Sequence, residues 1–369
     1  MKTVVIYRSD LLPISETFVQ EQASAVKGYN IGYVGLRRIK SSLLLSEPTI
    51  VLTRGDGKLS SLLAKLYRCT RSAPSFHEKI AKMKPALLHA HFAPDGNVAR
   101  HLATRLDIPL VVTLHGYDVN VRADFRRLYT DLWRDASLFL CVSKFIRDRA
   151  IQEGFPKDKL RVHYIGVNCS KFGVLPIKRD ERLILFVGRL TEKKGCTYLL
   201  HAMERVQRVR PDAHLVIVGE GYLRTSLEKQ AKRAQISVKF LGSQSSTIVR
   251  EYLAQAFCLC APSVTATNGD SEGIPIIILE ALACGLPVVS SYHAGIPEVV
   301  QSGRTGMLAP ERDYNSLAEH ILSLMNDRAL WSSCSRSGAE LVRAEFSIDS
   351  QTKLLEGIYD EVDRKWVRR

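Results

Sequence analysis

Short runs of consecutive apolar residues alternate with longer stretches whose apolar positions recur every three or four residues, and this happens twice along the chain. In the first half the runs are TVVIY, IGYVGL, ALLHAHF, PLVVTLHG and LFLCVS. In the second they are LILFVGRL, AHLVIVGEG, VKFLG, CLCAPS, PVVSS and GMLAP. Helical patterns such as SETFVQEQASAVK and DGNVARHLATRLD lie between them. Continuous apolar strands spaced by amphipathic helices predict parallel sheets covered on both faces. Two such series predict an α/β protein of two doubly wound, Rossmann-like domains. The seam is expected within residues 164–183, giving domains over 1–170 and 171–345. The last segment, FSIDSQTKLLEGIYDEVDRKWVRR, reads as a helix with Leu354, Leu355, Ile358 and Val362 on one stripe, and periodicity alone leaves its domain open.

Composition agrees with a two-domain globular chain: 369 residues, 46% hydrophobic and 24% charged. No apolar run approaches the roughly 18–20 residues of a spanning helix. The opening MKTVVIYRSDLLP holds too short an apolar run for a signal-peptide core, so a cytosolic location is expected. The eight cysteines show no C-x-x-C and no paired spacing, which signals neither a disulfide framework nor a zinc site.

The formal net charge of +14 changes the picture in one region. Between Arg54 and Lys84 eight lysines and arginines stand against Asp56 and Glu78. There KLSSLLAKLYRCTR sets Leu59, Leu62, Leu63 and Leu66 at helical spacing, with Lys58, Lys65 and Arg68 outside them. Such a helix can lie on an anionic bilayer. It is also the pattern of an ordinary surface helix on a basic protein, the reading that base rates favour. Nucleic acid ranks last, because no zinc-finger spacing or aromatic-glycine RNA-binding signature accompanies the charge.

Ligands of open parallel sheets bind beyond the carboxyl ends of the strands, so the residues just after each run are the candidates. After LILFV comes GRLTEKKG, with Arg189 and Lys194 before a helix opened by Gly195. Two cations at a helix N-terminus can form an anion site; the alternative is loop surface charge, which suits Glu192 and Lys193 better. Gly219 in GEGYL and Gly242 in VKFLGSQ end two further strands, where a loop backbone could meet a nucleobase edge or simply turn. CLCAPS leads into the polar VTATNGDSEG and then IPIIILEALACGLP. Pro275 at its first position and Gly285 at its stop predict a helix from about Pro275 to Cys284, with Glu272 before it and Glu280 within it. The N–H groups near Gly273 and Ile274 would face a ligand. A carboxylate among such apolar neighbours faces a crevice or a costly burial, and it can accept two hydroxyls of a ribose or sugar. In the first half His115 and Asp118 follow VVTL, and HAHFAPDG carries His89, His91 and Asp95. Each histidine is structural or catalytic; His89 and His91 share one strand face, but no third metal ligand accompanies them. Ser15 and Glu16 follow the first strand, Glu16 equally readable as a helix-start acid.

The ordered set EGIPIIILE, ALACGLPVVSS, FVGRLTEKKG and VGEG, with HAHFAPDG, VVTLHGYDVN and TATNGDSEGIP, resembles retaining glycosyltransferases of family 4, in particular the exopolysaccharide and colanic-acid-type subgroup. The resemblance spans nearly the whole chain. It implies a GT-B fold, two Rossmann-like domains facing across a cleft, the first serving the acceptor and the second the nucleotide sugar, with residues 346–369 returning to the first. By that pattern Arg189 and Lys194 neutralise the donor diphosphate and Glu280 holds the ribose. Glu272, with Gly273, Ile274 and Pro275, orients the transferred sugar, and His115 sits near the reacting centre. Ser15, Glu16, His91, Asp95 and Asp118 stand as cleft or acceptor candidates. Where many members have a glycine-rich loop after the first strand, this chain reads RSDLLPISETF.

The activity so implied is transfer of a hexose-type sugar to a glycan, such as a lipid-linked (polyprenyl-diphosphate) oligosaccharide in exopolysaccharide, O-antigen or capsule assembly. No metal or other cofactor is expected, and UDP is ranked ahead of GDP as the donor nucleotide. The site of action would be cytoplasmic or peripheral at the inner membrane face. A nucleotide-sugar epimerase on the same fold and a non-catalytic binder are the alternatives. No complete G-x-G-x-x-G follows either first strand, which disfavours a nicotinamide dehydrogenase.

Overall fold

The computed structural model describes residues 1–13, 16–45, 47–120, 125–173 and 178–367. It divides into two compact units, one of Met1–Val119, Ala123–Gly166 and Ile348–Arg369, the other of Val167–Ser347 with Asn120–Arg122.

The first unit holds seven parallel strands: β1 (Thr3–Tyr7), β2 (Asn30–Arg38), β3 (Thr49–Arg54), β4 (Pro85–His91), β5 (Leu110–Leu114), β6 (Leu138–Cys141) and β7 (Leu160–Val162). Their order is β3-β2-β1-β4-β5-β6-β7. β1, β4 and β5 read as unbroken apolar runs because both of their faces are covered. The edges β3 and β7 are only half-buried and carry the polar residues Thr49, Thr53, Arg54 and Arg161. The helix Ile348–Val367 closes one face, burying Leu355, Ile358, Tyr359 and Val362, whereas Leu354 turns out to solvent. Leu354 therefore leaves the stripe expected of it, and Tyr359 takes its place.

The second unit has six strands: β8 (Leu183–Val187), β9 (His214–Val218), β10 (Val238–Gly242), β11 (Cys258–Ala261), β12 (Val288–Ser291) and β13 (Gly306–Ala309). All its pairs are parallel, in the order β10-β9-β8-β11-β12-β13. This is the 3-2-1-4-5-6 winding of dinucleotide-binding folds, whose direction reverses between β8 and β11. In the first sheet the reversal falls between β1 and β4. Both Rossmann-like sheets thus present a strand-end crevice at a defined place.

One helix departs from expectation. Lys58–Thr70 forms as the spacing predicts, but it buries Ser60, Ala64 and Tyr67 and leaves Leu59, Leu62, Leu63 and Leu66 exposed. An ordinary surface helix would bury that leucine stripe. No helix among the described residues is long and apolar enough to cross a membrane.

Candidate active site

At the reversal point of the second sheet, the loops after β8 and β11 meet. Gly195 begins the helix Cys196–Val209 at φ +67°, and a Cβ there would lie 1.8 Å from the Pro262 carbonyl oxygen. Only glycine allows this approach. Next to it, Lys194 Nζ lies 3.1 Å from Glu272 Oε1, and Lys193 Nζ lies 3.6 Å from the same oxygen and 3.1 Å from Asp270. The Lys193, Lys194 and Glu272 side chains are 11%, 16% and 11% exposed. Burial alone would raise the Glu272 carboxyl, but the charges of Lys194 and then Lys193 outweigh it and hold it at about 2. Glu272 is thus an anion across the physiological range. Its Oε1 is buried against these two ammonium groups.

The backbone of Glu272 is fixed from behind. Its N–H donates to His293 Nε2 at 3.1 Å, and His293 Nδ1 lies 2.6 Å from Glu311 Oε1. Because Nε2 accepts, Nδ1 must carry the proton and donate it to the carboxylate. Glu311 also accepts from the Thr265 N–H, and Glu192 accepts from the Thr267 N–H and hydroxyl, so both ends of the loop are anchored.

Two helices begin at this crevice without a side-chain cap, Cys196–Val209 after the lysines and Ile276–Ala283 after Glu272. In each, the third N–H donates back to the N-cap carbonyl (Tyr198 to Gly195 and Ile278 to Pro275, 2.9 Å each), and the two N–H groups before it, with the helix dipoles, favour an anion. Pro275 is the N-cap rather than the first helical residue, one position earlier than expected; Gly273 and Ile274 are buried beside it. Glu280 is half-buried inside the helix, and Arg189 is exposed after β8. Gly219 and Gly242 come together: the Gly219 N–H donates to the Gly242 carbonyl at 2.8 Å. At φ +138°, a Cβ on Gly219 would sit 1.9 Å from the Gly188 oxygen.

In the first unit the strand ends of β1, β4 and β5 hold a second cluster. Arg8 forks onto Glu16 (2.8 and 2.5 Å), pairs with Asp95 and lies over the Phe92 ring, 4.4 Å from its centroid. Phe92 adopts φ +73°, a conformation costing a side-chain residue on the order of 1–3 kcal/mol, and its ring also packs 4.4 Å from His115. Asp118 accepts the N–H groups of His115 (2.5 Å) and Ala93 (2.8 Å). His115 Nε2 shares a 3.0 Å hydrogen bond with His91 Nδ1. His91 stacks on both His89 and His115, and both nitrogens of His89 are engaged, by Tyr359 and Thr113 at 2.7 Å each. Among the described residues no group of three or more His, Cys, Asp or Glu side chains is placed to hold a metal ion. Ser15 lies outside the described residues.

Burial, with Arg8 and His89 nearby, pushes His115 down to about 3; burial and His163 do the same to His89, and His91 is also pushed down well below its usual value. Burial raises Asp118 to about 6 despite its two N–H donors. These shifts make a prediction with a definite sign. As pH falls from 7 to 5 the unfolded histidines take up protons that the folded ones refuse, which costs about 2 kcal/mol each for His89 and His115. Asp118 works oppositely, gaining its proton first in the folded state, and returns about 1 kcal/mol. Urea titrations followed by circular dichroism should show a clearly lower first-unit midpoint at pH 5 than at pH 7. Equal midpoints would mean that the histidines are not held neutral.

The structure therefore gathers Lys194, Glu272, Gly273, Ile274 and Pro275 in one place, and Glu16, His91, Asp95, His115 and Asp118 in another. Sequence reasoning missed Arg8, Phe92, Lys193, Asp270, His293 and Glu311. Arg8 follows β1 directly, and His293 and Glu311 follow β12 and β13, so the strand-end rule could have found these three. Lys193, expected to be loop surface charge, is instead inside the carboxylate cluster.

Residues 170–340 match the family model for glycosyl transferases group 1, and residues 40–171 match that for glycosyltransferase family 4. The amylovoran biosynthesis glycosyltransferase AmsK of Erwinia amylovora is 34% identical over 65% of this chain and 61% of its own length. The putative colanic acid biosynthesis glycosyltransferase WcaL of Escherichia coli is 33% identical over 63% of this chain and 59% of its own. The match thus spans about three fifths of each relative. The structure of Anabaena Alr3699/HepE in complex with UDP-glucose superposes with a TM-score of 0.79 at 20% identity, covering 98% of this chain and 100% of that one, a likeness of fold.

Proposed function

Because the chain belongs to glycosyltransferase family 4, we propose that it transfers a hexose, with retention at the anomeric carbon, from a nucleoside-diphosphate sugar to a glycan. The observation that carries this reading is the buried Glu272 carboxylate held between two lysines, beside two uncapped helix starts, at the switch point of the second sheet.

The chemistry follows from the charges. A donor diphosphate brings negative charge to Lys194, Arg189 and the first-turn N–H groups of both helices, which stabilise the further charge that develops as the C1–O bond breaks. Glu272, ionised and paired, is neither a general acid nor an unencumbered nucleophile. It accepts hydroxyls of the transferred sugar, with Gly273, Ile274 and Pro275 shaping that end, while Glu280 accepts the ribose hydroxyls. Gly219 and Gly242 shape the nucleobase side by sterics, since the Gly219 N–H is already engaged. In this reading the acceptor oxygen attacks the face that the phosphate leaves, and its proton passes to the departing phosphate oxygen. His115, neutral above about pH 3, serves the sugar as a hydrogen-bonding group. Glu16, His91, Asp95 and Asp118 fix that histidine and its loops on the acceptor side.

We assign UDP ahead of GDP, supported by the UDP-glucose complex of the HepE fold relative. We take the acceptor to be a lipid-linked oligosaccharide met at the cytoplasmic face of the membrane; the names of AmsK and WcaL support the polysaccharide-assembly part of this reading. The test is transfer by the purified chain from UDP-hexoses and GDP-mannose to a lipid-linked oligosaccharide fraction, with the product anomer read by NMR. The expected product keeps the donor's anomeric configuration, and chelator leaves the rate unchanged. An inverted product would refute retention, and loss of activity with chelator would refute metal independence. Conversion of donor to another nucleotide sugar without acceptor would favour an epimerase.

A further inference from the structure

We propose that Lys193 is a positioning residue of the transfer reaction: it is the counter-charge that keeps Glu272 ionised once a donor diphosphate has drawn Lys194 away. This rests on the reading of Lys194 as a diphosphate ligand.

Two adjacent lysines reach one carboxylate oxygen. The turn Glu192–Lys194 sets Lys194 Nζ 3.1 Å and Lys193 Nζ 3.6 Å from Glu272 Oε1. Their other contacts differ. Lys193 donates to Asp270 Oδ1 at 3.1 Å, and its backbone carbonyl accepts the Val264 N–H at 2.8 Å. Asp270 is itself held, since its carbonyl accepts the Ala266 N–H and its own N–H donates to the Asn268 side chain. The Lys194 ammonium has no other ion pair or hydrogen bond among the described residues. Lys193 is thus pinned between Asp270 and Glu272, while Lys194 can turn to a ligand.

The charges make this difference matter. Two ammonium groups against Asp270 and Glu272 leave the cluster neutral. A diphosphate adds negative charge and competes for Lys194 with a carboxylate that is 11% exposed. With Lys194 shared and no other cation, that carboxylate would take up a proton, because burial disfavours its charged form. Protonation turns one of its oxygens from an acceptor into a donor. Lys193, fixed on the same oxygen, prevents this, and its charge already acts beside that of Lys194 in holding Glu272 at about 2. The other titratable groups at the site are Asp270 on the same loop and His293 and Glu311 after β12 and β13. His293 receives the Glu272 backbone N–H and directs its own proton at Glu311, so it does not replace a lysine at the carboxylate.

The test is calorimetric titration of the full chain with UDP and with GDP at pH 6, in buffers of different ionisation enthalpy, which counts the protons taken up on binding. Lys193→Arg should match the wild type. Lys193→Met should take up more, by as much as about one proton, while its diphosphate affinity falls less than that of Lys194→Met. Adding Glu272→Gln to Lys193→Met should remove the extra proton and so assign it to that carboxylate. In transfer assays, the kcat deficit of Lys193→Met should be about ten-fold larger at pH 6 than at pH 8. A lysine that mattered only for folding would lower the unfolding midpoint and the affinity together with no change in proton count. That result overturns the proposal, as does an extra proton that survives Glu272→Gln. Normal diphosphate binding with an unchanged proton count in Lys193→Met overturns the proposal alone. Absence of binding of either diphosphate to the wild type overturns it together with the reading beneath it.

Discussion

Glu272→Gln is expected to lower transfer by about a hundred- to a thousand-fold, the range seen when a preorganised polar contact to a reacting group is removed. The side chain keeps its volume, but the charge between Lys193 and Lys194 disappears. The loss should fall on kcat more than on nucleotide affinity, because the diphosphate contacts Lys194 and the helix starts remain. A stability effect with a definite pH window accompanies it. Glu272 is depressed to about 2 from an ordinary 4.5, so its pairing contributes on the order of 3 kcal/mol. That contribution is fully present above about pH 4.5 and is lost as pH falls toward 2. The gap in second-unit unfolding midpoint between wild type and Glu272→Gln should therefore be constant from pH 8 to pH 5 and close in acid. A gap that widens on acidification, or a variant with full turnover, would remove the carboxylate from its assigned role.

His115→Ala should lower kcat by a factor on the order of a hundred to a thousand, the range for losing one hydrogen-bonding contact at the reacting group, while leaving nucleotide affinity nearly unchanged. The imidazole is held at a definite angle by His91, Phe18 and Phe92, and its backbone N–H is tied to Asp118. Since burial keeps His115 neutral down to about pH 3, the wild-type kcat profile should show no ascending limb from this residue near pH 6.5. His115→Gln, which restores one donor and one acceptor, should recover part of the loss. A residue that mattered only for folding would shift the unfolding midpoint and affinity together, with no rescue by glutamine. Retention of full activity in the alanine variant would make His115 structural.

The fold was legible because its central strands are buried on both faces. All six strands of the second unit stand where the apolar runs predicted them. The two unforeseen strands, Thr49–Arg54 and Leu160–Val162, are sheet edges, one half-buried with polar ends and the other three residues long. Such segments lack the unbroken apolar run that identifies a parallel core strand. The Lys58–Thr70 helix shows a different limit. Its period was visible, but Ser60, Ala64 and Tyr67 form a second face narrow enough to pack inward, and hydrophobicity alone pointed to the leucines. At the site, Glu272 and Lys194 could be singled out because glycine, proline and a strand end surround them. The pairing of Arg8 with Asp95 joins two different strand ends, and nothing local in either segment announces it. Lys193 was misjudged because its neighbour Lys194 has the same charge; only the fold of the turn Glu192–Lys194 aims both at one carboxylate.

The central claim is that the strand-end crevice of the second sheet binds a nucleoside diphosphate. Calorimetric titration of the full chain with UDP, GDP and the matching nucleosides tests it most directly, repeated on Arg189→Ala/Lys194→Ala and on Glu280→Ala. One diphosphate should bind with micromolar affinity. The double variant should lose the preference for diphosphate over nucleoside, and Glu280→Ala should weaken diphosphate and nucleoside alike. Absence of binding to either diphosphate, or an undiminished diphosphate preference in the double variant, would contradict it.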